Sequence, residues 1–210
     1  MNNIQVQPEH YDFKYDSLDR FISYHKQLEL VIKNYKSAVL EIGIGNSFVS
    51  NYLKSKGYNI STCDFDKDLK PDFVADVRKL SFNNNAYNLV TCFEVLEHIP
   101  FEDFDRAVDE ITRVSSDKVL ISIPYDAATF EIVIKFPFLY VFNKKYLPFI
   151  LTIPKFFKKT KFNGQHYWEM GNRGYSVRKI RKKLLKNFKI VSEEKPVLNS
   201  YHYFFVLEKR

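Results

Sequence analysis

The chain has 210 residues, of which 45% are hydrophobic and 27% charged, and this composition excludes an intrinsically disordered protein. A formal net charge of +7 favours an anionic partner, such as nucleic acid, an acidic membrane surface or a phosphorylated substrate, unless it only solvates the surface. Cys63 and Cys92 lack zinc-ligand spacing and form no disulfide framework. These unpaired cysteines, together with the lack of a signal-peptide pattern, favour the reducing cytoplasm. Charged residues interrupt every apolar stretch long enough to span a membrane, so we expect no membrane-spanning helix.

Strands and helices alternate along most of the chain. In chain order, apolar spacing and capping residues predict helix 17–35, strand 38–42, helix 46–57, strands 58–63, 72–76 and 87–92, helix 101–115, strand 118–124, helix 176–188, and strands 189–194 and 201–209. This alternation is typical of βαβ units and predicts a largely parallel α/β sheet in a single domain over 1–210. The alternation pauses at about 125–174, which we interpret as an insertion that forms a substrate cap.

The segment "VLEIGIGNSF" at 39–48 predicts a strand that runs into a glycine-containing turn. A dinucleotide fingerprint needs a third glycine where this chain has Phe48, and the Gly-Lys-Ser/Thr of a phosphate-binding loop is also missing. The two glycines alone fit either a ligand site or a tight turn without a ligand.

Three carboxylates stand at the ends of predicted strands. Glu41 precedes Gly43 by two residues, Asp64 follows Gly43 by 21 residues, and Asp76 ends the third strand. Because parallel strands end at the same edge of a sheet, we expect all three to face one crevice. Glu41 suits an ammonium group and Asp64 suits ribose hydroxyls. This set fits an adenosine with a cationic amino-acid tail better than it fits a dinucleotide.

The segments "VLEIGIGNS", "CDFD", "DVRKLSF" and "YNLVTCFEVLEHIP" resemble successive motifs of class I S-adenosylmethionine (SAM)-dependent methyltransferases, closest to the methyltransferase type 11 group. The resemblance covers 38–124. It implies a Rossmann-like, doubly wound, mostly parallel seven-stranded sheet with an antiparallel last strand. Prolines at 137, 148 and 154 divide the inserted cap, so we expect it to consist of short helices.

The resemblance also assigns the cofactor contacts, residue by residue. Glu41, Gly43, Gly45 and Phe93 are expected beside the methionine part of SAM. The ribose and adenine contacts that it implies are Asp64, Phe65, Asp76 and Val77. Ser47 departs from the pattern because many members have a third glycine there, and we expect SAM binding to survive this change.

His98 and His166 are the candidate general bases for methyl transfer. SAM already carries a good leaving group, so the protein mainly aligns the acceptor, and a base serves where the acceptor is a hydroxyl or an amine. His166 lies in "GQHYWEMGNRGYS", whose mixture of polar and aromatic residues is typical of a pocket loop, although a plain linker is the alternative. For His98 the alternative is a structural role in the "LEHIP" turn. No metal site is predicted.

Aromatic and basic residues dominate the insertion. Residues 131–161 contain seven lysines and one glutamate among Phe, Ile, Leu and Tyr. Such a cap is expected to close over a hydrophobic acceptor or to lie on an anionic membrane at the inner face, unless its aromatics only pack together. A second basic cluster lies on the helix predicted over 176–188.

We therefore expect a methyltransferase that acts on a non-protein acceptor, by O-methylation of a small molecule, a glycan or a lipid-linked intermediate. The alternatives are an RNA methyltransferase and a non-catalytic SAM-binding or membrane-associated protein. RNA ranks lower because the sequence contains no recognisable RNA-binding module.

Overall fold

The computed structural model of the protein describes residues 10–11, 14–138 and 146–210. In this part of the chain the helices are α1 (Leu18–Asn34), α2 (Phe48–Ser55), α3 (Phe104–Val114) and α4 (Val177–Leu184). The strands are β1 (Val39–Ile42), β2 (Ile60–Asp64), β3 (Phe73–Val74), β4 (Tyr87–Phe93), β5 (Ser115–Pro124), β6 (Ala127–Ile134), β7 (Leu147–Pro154), β8 (Phe188–Glu194) and β9 (His202–Lys209). The side chains of Ser17 and Ser176 accept backbone N–H groups at the starts of α1 and α4, as expected for N-caps.

Within the described residues, a seven-stranded sheet has the order β3-β2-β1-β4-β5-β9-β8. The pairs from β3 to β5 are parallel, whereas β9 runs antiparallel to both β5 and β8. The predicted fold, mostly parallel with an antiparallel last strand, is confirmed. Because β1, β2 and β4 are adjacent and parallel, their carboxyl ends lie together at one edge.

The two faces of the sheet are covered by different helices, and adjacent residues of one strand serve different cores. Leu40, Val90 and Ile121 pack in a cluster with α3, α4 and Trp168. Their chain neighbours Val39, Leu89 and Leu120 pack in a second cluster with α1 and α2. This alternation follows from the two-residue period of a strand. The five buried residues of α3 recur at helical spacing and form one apolar face against the sheet: Phe104, Ala107, Val108, Ile111 and Val114.

The insertion contains a β-hairpin, so the expectation of a helical cap was wrong for the described residues. Strands β6 and β7 pair antiparallel and form a separate two-stranded sheet. The sequence of both strands is rich in β-branched and aromatic residues, which favour strands. Pro148 and Pro154 do not prevent this pairing, because a two-stranded sheet has only edge strands, where proline is tolerated. Lys144 and Lys145 lie outside the described residues.

One side of the hairpin faces the rest of the protein and the other is exposed. Thr129 and Thr152 accept hydrogen bonds from Ser200 and Lys195 on the inner side. The opposite side is a continuous row of exposed apolar side chains, which we call the apolar hairpin face: Phe130, Ile132, Ile134, Leu147, Phe149, Leu151 and Ile153. Among the described residues, no helix is both long and apolar enough to cross a membrane.

Candidate active site

The turn after β1 uses left-handed backbone conformations at alternate positions. Gly43 has φ = 80°, Gly45 has φ = 50° and Ser47 has φ = 59°. A Cβ atom on Gly43 would lie 2.2 Å from Cγ2 of Val95, so glycine is required there for steric reasons as well. At Ser47, a serine therefore adopts a conformation that glycine adopts without strain.

Glu41 is a buried carboxylate at the end of β1, with 6% of its surface exposed. Within the described part of the chain, its Oε2 atom has no hydrogen-bond partner. Burial raises the pKa of Glu41 to about 7, and a hydrogen bond with Ser50 and the charge of Lys54 offset this only in part. An unpaired carboxylate of this kind favours a cation beside it.

Asp64 connects the end of β2 to the glycine turn. Its Oδ2 accepts the backbone N–H of Ile44 at 2.9 Å, and its Oδ1 accepts the N–H of Asp66 at 3.0 Å. Burial raises the pKa of Asp64, while these N–H groups lower it. Since each carboxylate oxygen accepts more than one hydrogen bond, Asp64 can fix the turn and still accept from two hydroxyl groups.

Asp76, Phe65 and Val77 form the next part of the wall. The guanidinium of Arg78 binds both oxygens of Asp76, at 2.9 and 2.6 Å, and also reaches Asp103 at 2.7 Å. Phe65 is 42% exposed and Val77 is buried. The ring of Phe65 therefore offers an open apolar face beside a carboxylate whose position Arg78 fixes.

His166 and His98 lie together in the wall of the site. Their ring centroids are 4.9 Å apart, with the planes nearly perpendicular. Nδ1 of His166 lies 2.9 Å from Oε1 of Glu169, which also accepts the hydroxyl of Tyr201 at 3.0 Å. The hydrogen bond from His166 lowers the pKa of Glu169. Burial lowers the pKa of His98 to about 4, so this imidazole is neutral at neutral pH.

All ten site residues predicted from the sequence line one cavity of about 560 Å³, which lies within the usual size range of small-molecule sites. They are Glu41, Gly43, Gly45, Asp64, Phe65, Asp76, Val77, Phe93, His98 and His166. The first eight come from the strand ends and the turns that follow them. The two histidines come from segments far apart in the chain, and the structure brings them together.

Other wall residues were missed in the sequence. Tyr11 and Tyr15 line the cavity from before α1, and the Tyr11 ring lies 3.5 Å from where a Cβ of Gly45 would be. Tyr201 lines it from the loop before β9. Glu94 and Glu97 also line it. These two glutamates belong to the "EVLEHIP" segment, whose resemblance to the methyltransferase motifs could have indicated them as site residues.

Glu97 is fully buried, and among the described residues neither of its carboxylate oxygens has a hydrogen-bond partner. Its burial, and secondarily the charge of Glu94, raise the pKa of Glu97 well above its usual range. Glu41, near the glycine turn, and Glu97, near the histidines, are therefore both incompletely paired carboxylates of the cavity wall.

Comparison with known proteins identifies the class. A family model described as "Methyltransferase domain" matches residues 40–123. No curated protein matches the chain in sequence. Among solved structures, the PH0226 protein from Pyrococcus horikoshii OT3 is 18% identical with a TM-score of 0.62, over 98% of this chain and 97% of that one.

Two further structures with this fold were solved with the demethylated cofactor, S-adenosylhomocysteine. Magnesium protoporphyrin IX methyltransferase (ChlM) from Synechocystis PCC 6803 is 16% identical, with a TM-score of 0.61 over 95% of this chain and 89% of that one. The 1,6-didemethyltoxoflavin-N1-methyltransferase from Burkholderia thailandensis is 12% identical, with a TM-score of 0.61 over 96% and 82%.

At these identities the structural likeness shows the fold, and the family model adds the type of domain. Residues 40–123 match a methyltransferase domain, and SAM is the methyl donor that this domain and the similar structures imply. The predicted family, fold and cofactor are thus confirmed.

Proposed function

We propose that the protein transfers the methyl group of SAM to an oxygen atom of a small-molecule, glycan or lipid-linked acceptor. The observation that supports this most is the shared cavity, which is lined both by the strand-end carboxylates and by two imidazoles. When bound, SAM supplies a methyl group on a positively charged sulfur, a good leaving group. The protein then has to bind and orient both reactants and exclude water.

We propose that SAM lies along the ends of β1, β2 and β3. The unpaired Oε2 of Glu41 fits the ammonium group of the methionine part, with Gly43, Gly45 and Phe93 beside it. Asp64 accepts the ribose hydroxyls. The adenine lies against Phe65 and Val77, with its amino group toward Asp76. The unpaired carboxylate of Glu41 and the open ring of Phe65 both suit a ligand that combines a positive charge with a nucleoside.

The acceptor is proposed to lie at the His98 and His166 end. The carboxylate of Glu169 orients the His166 imidazole, an arrangement that suits removal of a hydroxyl proton. The lowered pKa of His98 makes this imidazole a weak base. Two of the similar structures are methyltransferases named for small ring-containing acceptors, which supports a small-molecule acceptor here.

The insertion, over about 125–174, is proposed as a substrate cap that also contacts an anionic membrane surface. The apolar hairpin face is exposed, and Lys135, Lys155, Lys159 and Lys161 lie near its strands in the chain. Apolar side chains bordered by lysines are complementary to an acidic lipid surface. This arrangement favours a lipid-linked or otherwise hydrophobic acceptor.

RNA is the second candidate acceptor, and the structure offers it less support. Several basic residues of α4 and its end are paired within the protein. Arg181 binds Glu193 at 2.7 Å, and Lys183 and Lys186 both bind Asp105 at 2.8 Å. These charges are consequently less available for phosphate groups than the sequence indicated.

The test is methyl transfer from tritium-labelled SAM to separated cell fractions: lipids, glycans, small polar molecules and RNA. We expect protein-dependent label in a lipid, glycan or small-molecule fraction, and NMR of a carbon-labelled methyl group to identify an oxygen–methyl bond. Label in RNA alone would favour the second candidate. SAM binding with no transfer to any fraction would favour a non-catalytic protein.

A further inference from the structure

Glu97, His98 and His166 form a cluster whose chemistry a methyl-transfer site does not by itself require. One potential ligand atom from each of the three residues lies within 4.8 Å of those of the other two. The Nε2 atom of His98 is 3.9 Å from Oε1 of Glu97. We propose that these three side chains bind a divalent transition-metal ion at the acceptor end of the cavity.

Glu97 provides an observation independent of the clustering. Its side chain has no exposed surface, yet within the described residues both oxygens lack a hydrogen-bond partner. A buried carboxylate without hydrogen bonds is strongly unfavourable unless a cation or a proton compensates it. In a metal site, the imidazole nitrogen that faces the ion is a ligand and donates no hydrogen bond, so a cation between these side chains would compensate the Glu97 carboxylate.

Both imidazoles are held in the manner of metal ligands. Nδ1 of His166 lies 2.9 Å from a carboxylate oxygen of Glu169, and Nδ1 of His98 lies 3.1 Å from the carbonyl oxygen of Gln165. Metal-binding histidines usually donate their second ring N–H to such an acceptor, which fixes the ring and its tautomer. In this orientation the Nε2 atoms are the ones presented as ligands.

The two segments that carry the ligands are fastened to each other. Glu97 and His98 belong to a short 3-10 helix, Leu96–His98, that follows β4. The Tyr167 N–H donates to the Glu97 carbonyl at 2.8 Å, and the Trp168 indole donates to the carbonyls of Leu96 and Ile99, each at 3.2 Å. Because these hydrogen bonds fix the backbone of both segments, only rotation of the side chains is needed to bring the ligand atoms to within about 2.1 Å of an ion.

Two imidazoles and one carboxylate suit Mn²⁺, Co²⁺ or Zn²⁺, and three protein ligands leave coordination positions open toward the cavity. An ion there would supply a Lewis acid for an acceptor oxygen. This inference rests on the proposed acceptor site. It assigns the Nε2 of His166 to the ion, whereas direct proton removal would use the same nitrogen as a base.

The experiment is calorimetric titration of the chelator-treated protein with Zn²⁺ and with Mn²⁺. We expect one ion per chain. The single variants Glu97→Gln and His166→Ala should each weaken binding at least 100-fold, and Glu169→Gln should weaken it by about 10- to 100-fold. The exposed His25 on α1 supplies the control variant His25→Ala, which should bind like the unaltered protein.

Absence of binding, or affinity unchanged in Glu97→Gln and His166→Ala, would overturn the metal site. SAM affinity is measured on the same samples, because Glu97→Gln keeps the shape of the side chain and should leave it intact. A protein that binds SAM and transfers its methyl group but binds no ion would disprove the metal site while leaving the proposed function in place. If the unaltered protein does not bind SAM, the proposed function itself is wrong.

Discussion

Glu41 is buried without a full set of partners, so the same carboxylate that suits SAM destabilises the unliganded protein. Its pKa is about 7 in the folded protein, above the usual 4.5. The folded state therefore holds an extra proton between these values, and stability falls as the pH rises from 4.5 to 7. Above this pH window the Glu41 carboxylate is ionised in both states, and its burial destabilises the folded protein to the full extent.

Replacing Glu41 with Gln should separate these two effects. Above the window, Glu41→Gln should raise the free energy of unfolding by up to about 3 kcal/mol relative to its effect at low pH, because Gln does not ionise. SAM affinity should fall, since the charge opposite the ammonium group is lost. Urea unfolding at acidic and mildly alkaline pH measures the first effect and calorimetry the second. A stability difference that is the same at both pH values would contradict the assignment.

Asp64 is the residue whose removal should affect SAM binding through the ribose. Asp64→Ala removes charge-assisted hydrogen bonds worth roughly 1.5–3 kcal/mol, which corresponds to a ~10- to 150-fold loss of affinity by calorimetry. The exposed Asp68, four residues later and outside the cavity wall, gives the matched control Asp68→Ala. Asp64→Asn keeps the side-chain shape and tests whether loosening of the turn contributes. Unaltered SAM affinity in a folded Asp64→Ala protein would refute the ribose contact.

The sequence revealed the strand-end residues of the site because their positions follow from local rules. A parallel strand that ends in a carboxylate places it at a known edge, so Glu41, Asp64 and Asp76 could be grouped without a structure. The closeness of Glu97, His98 and His166 could not be found this way. It depends on the hydrogen bonds that fasten Tyr167 and Trp168 to the turn after β4, and no local pattern encodes those contacts.

Among the elements, the β6–β7 hairpin differs most from what the sequence predicted. Its prolines indicated broken helices, yet strand propensity decided the outcome. In the register of the pair, Phe130 faces Leu151 and Ile132 faces Phe149, so all four lie on one face. In a segment where nearly all residues are apolar, the two-residue alternation of a strand leaves no polar and apolar pattern in the sequence. This face was therefore not predicted. Its exposure among the described residues is what the proposed membrane contact would use.

The hairpin prediction concerns binding to lipid vesicles. The double variant Phe149→Ser/Leu151→Ser should weaken sedimentation with anionic vesicles by roughly 2 kcal/mol, ~30-fold in partitioning, because two apolar side chains no longer enter the interface. Leu185→Ser/Val191→Ser, at exposed positions elsewhere, is the matched control. Lys159→Gln/Lys161→Gln should weaken binding further at low salt, by about 1 kcal/mol per lysine. Lys158 is left unchanged because it pairs with Asp126.

Vesicle binding that is equal in all of these variants would contradict the membrane surface. Absence of binding together with a dimer in analytical ultracentrifugation would instead assign the apolar hairpin face to a second copy of the chain.

At the scale of the whole molecule, the sequence predicted the sheet well and overstated the free positive charge of the surface. Strand and helix alternation indicates parallel β-α units, and the observed sheet has the predicted seven strands among the described residues. The net charge of the composition overstated how many basic side chains are available to an anionic partner. Lysines and arginines of α4 contact acidic residues of α3 and β8, and the order of residues along the chain does not reveal this neutralisation.

The position of β9 has a consequence for how the protein is made. β9 follows β8 along the chain but is inserted between β5 and β8, bonded to both. While the chain leaves the ribosome, β5 therefore emerges long before its second neighbour, and β8 has no place in the sheet until β9 arrives. Until then, β5 presents an open and strongly apolar edge of the kind that aggregates. Vectorial synthesis thus leaves this edge of the sheet unpaired until its last strand is translated.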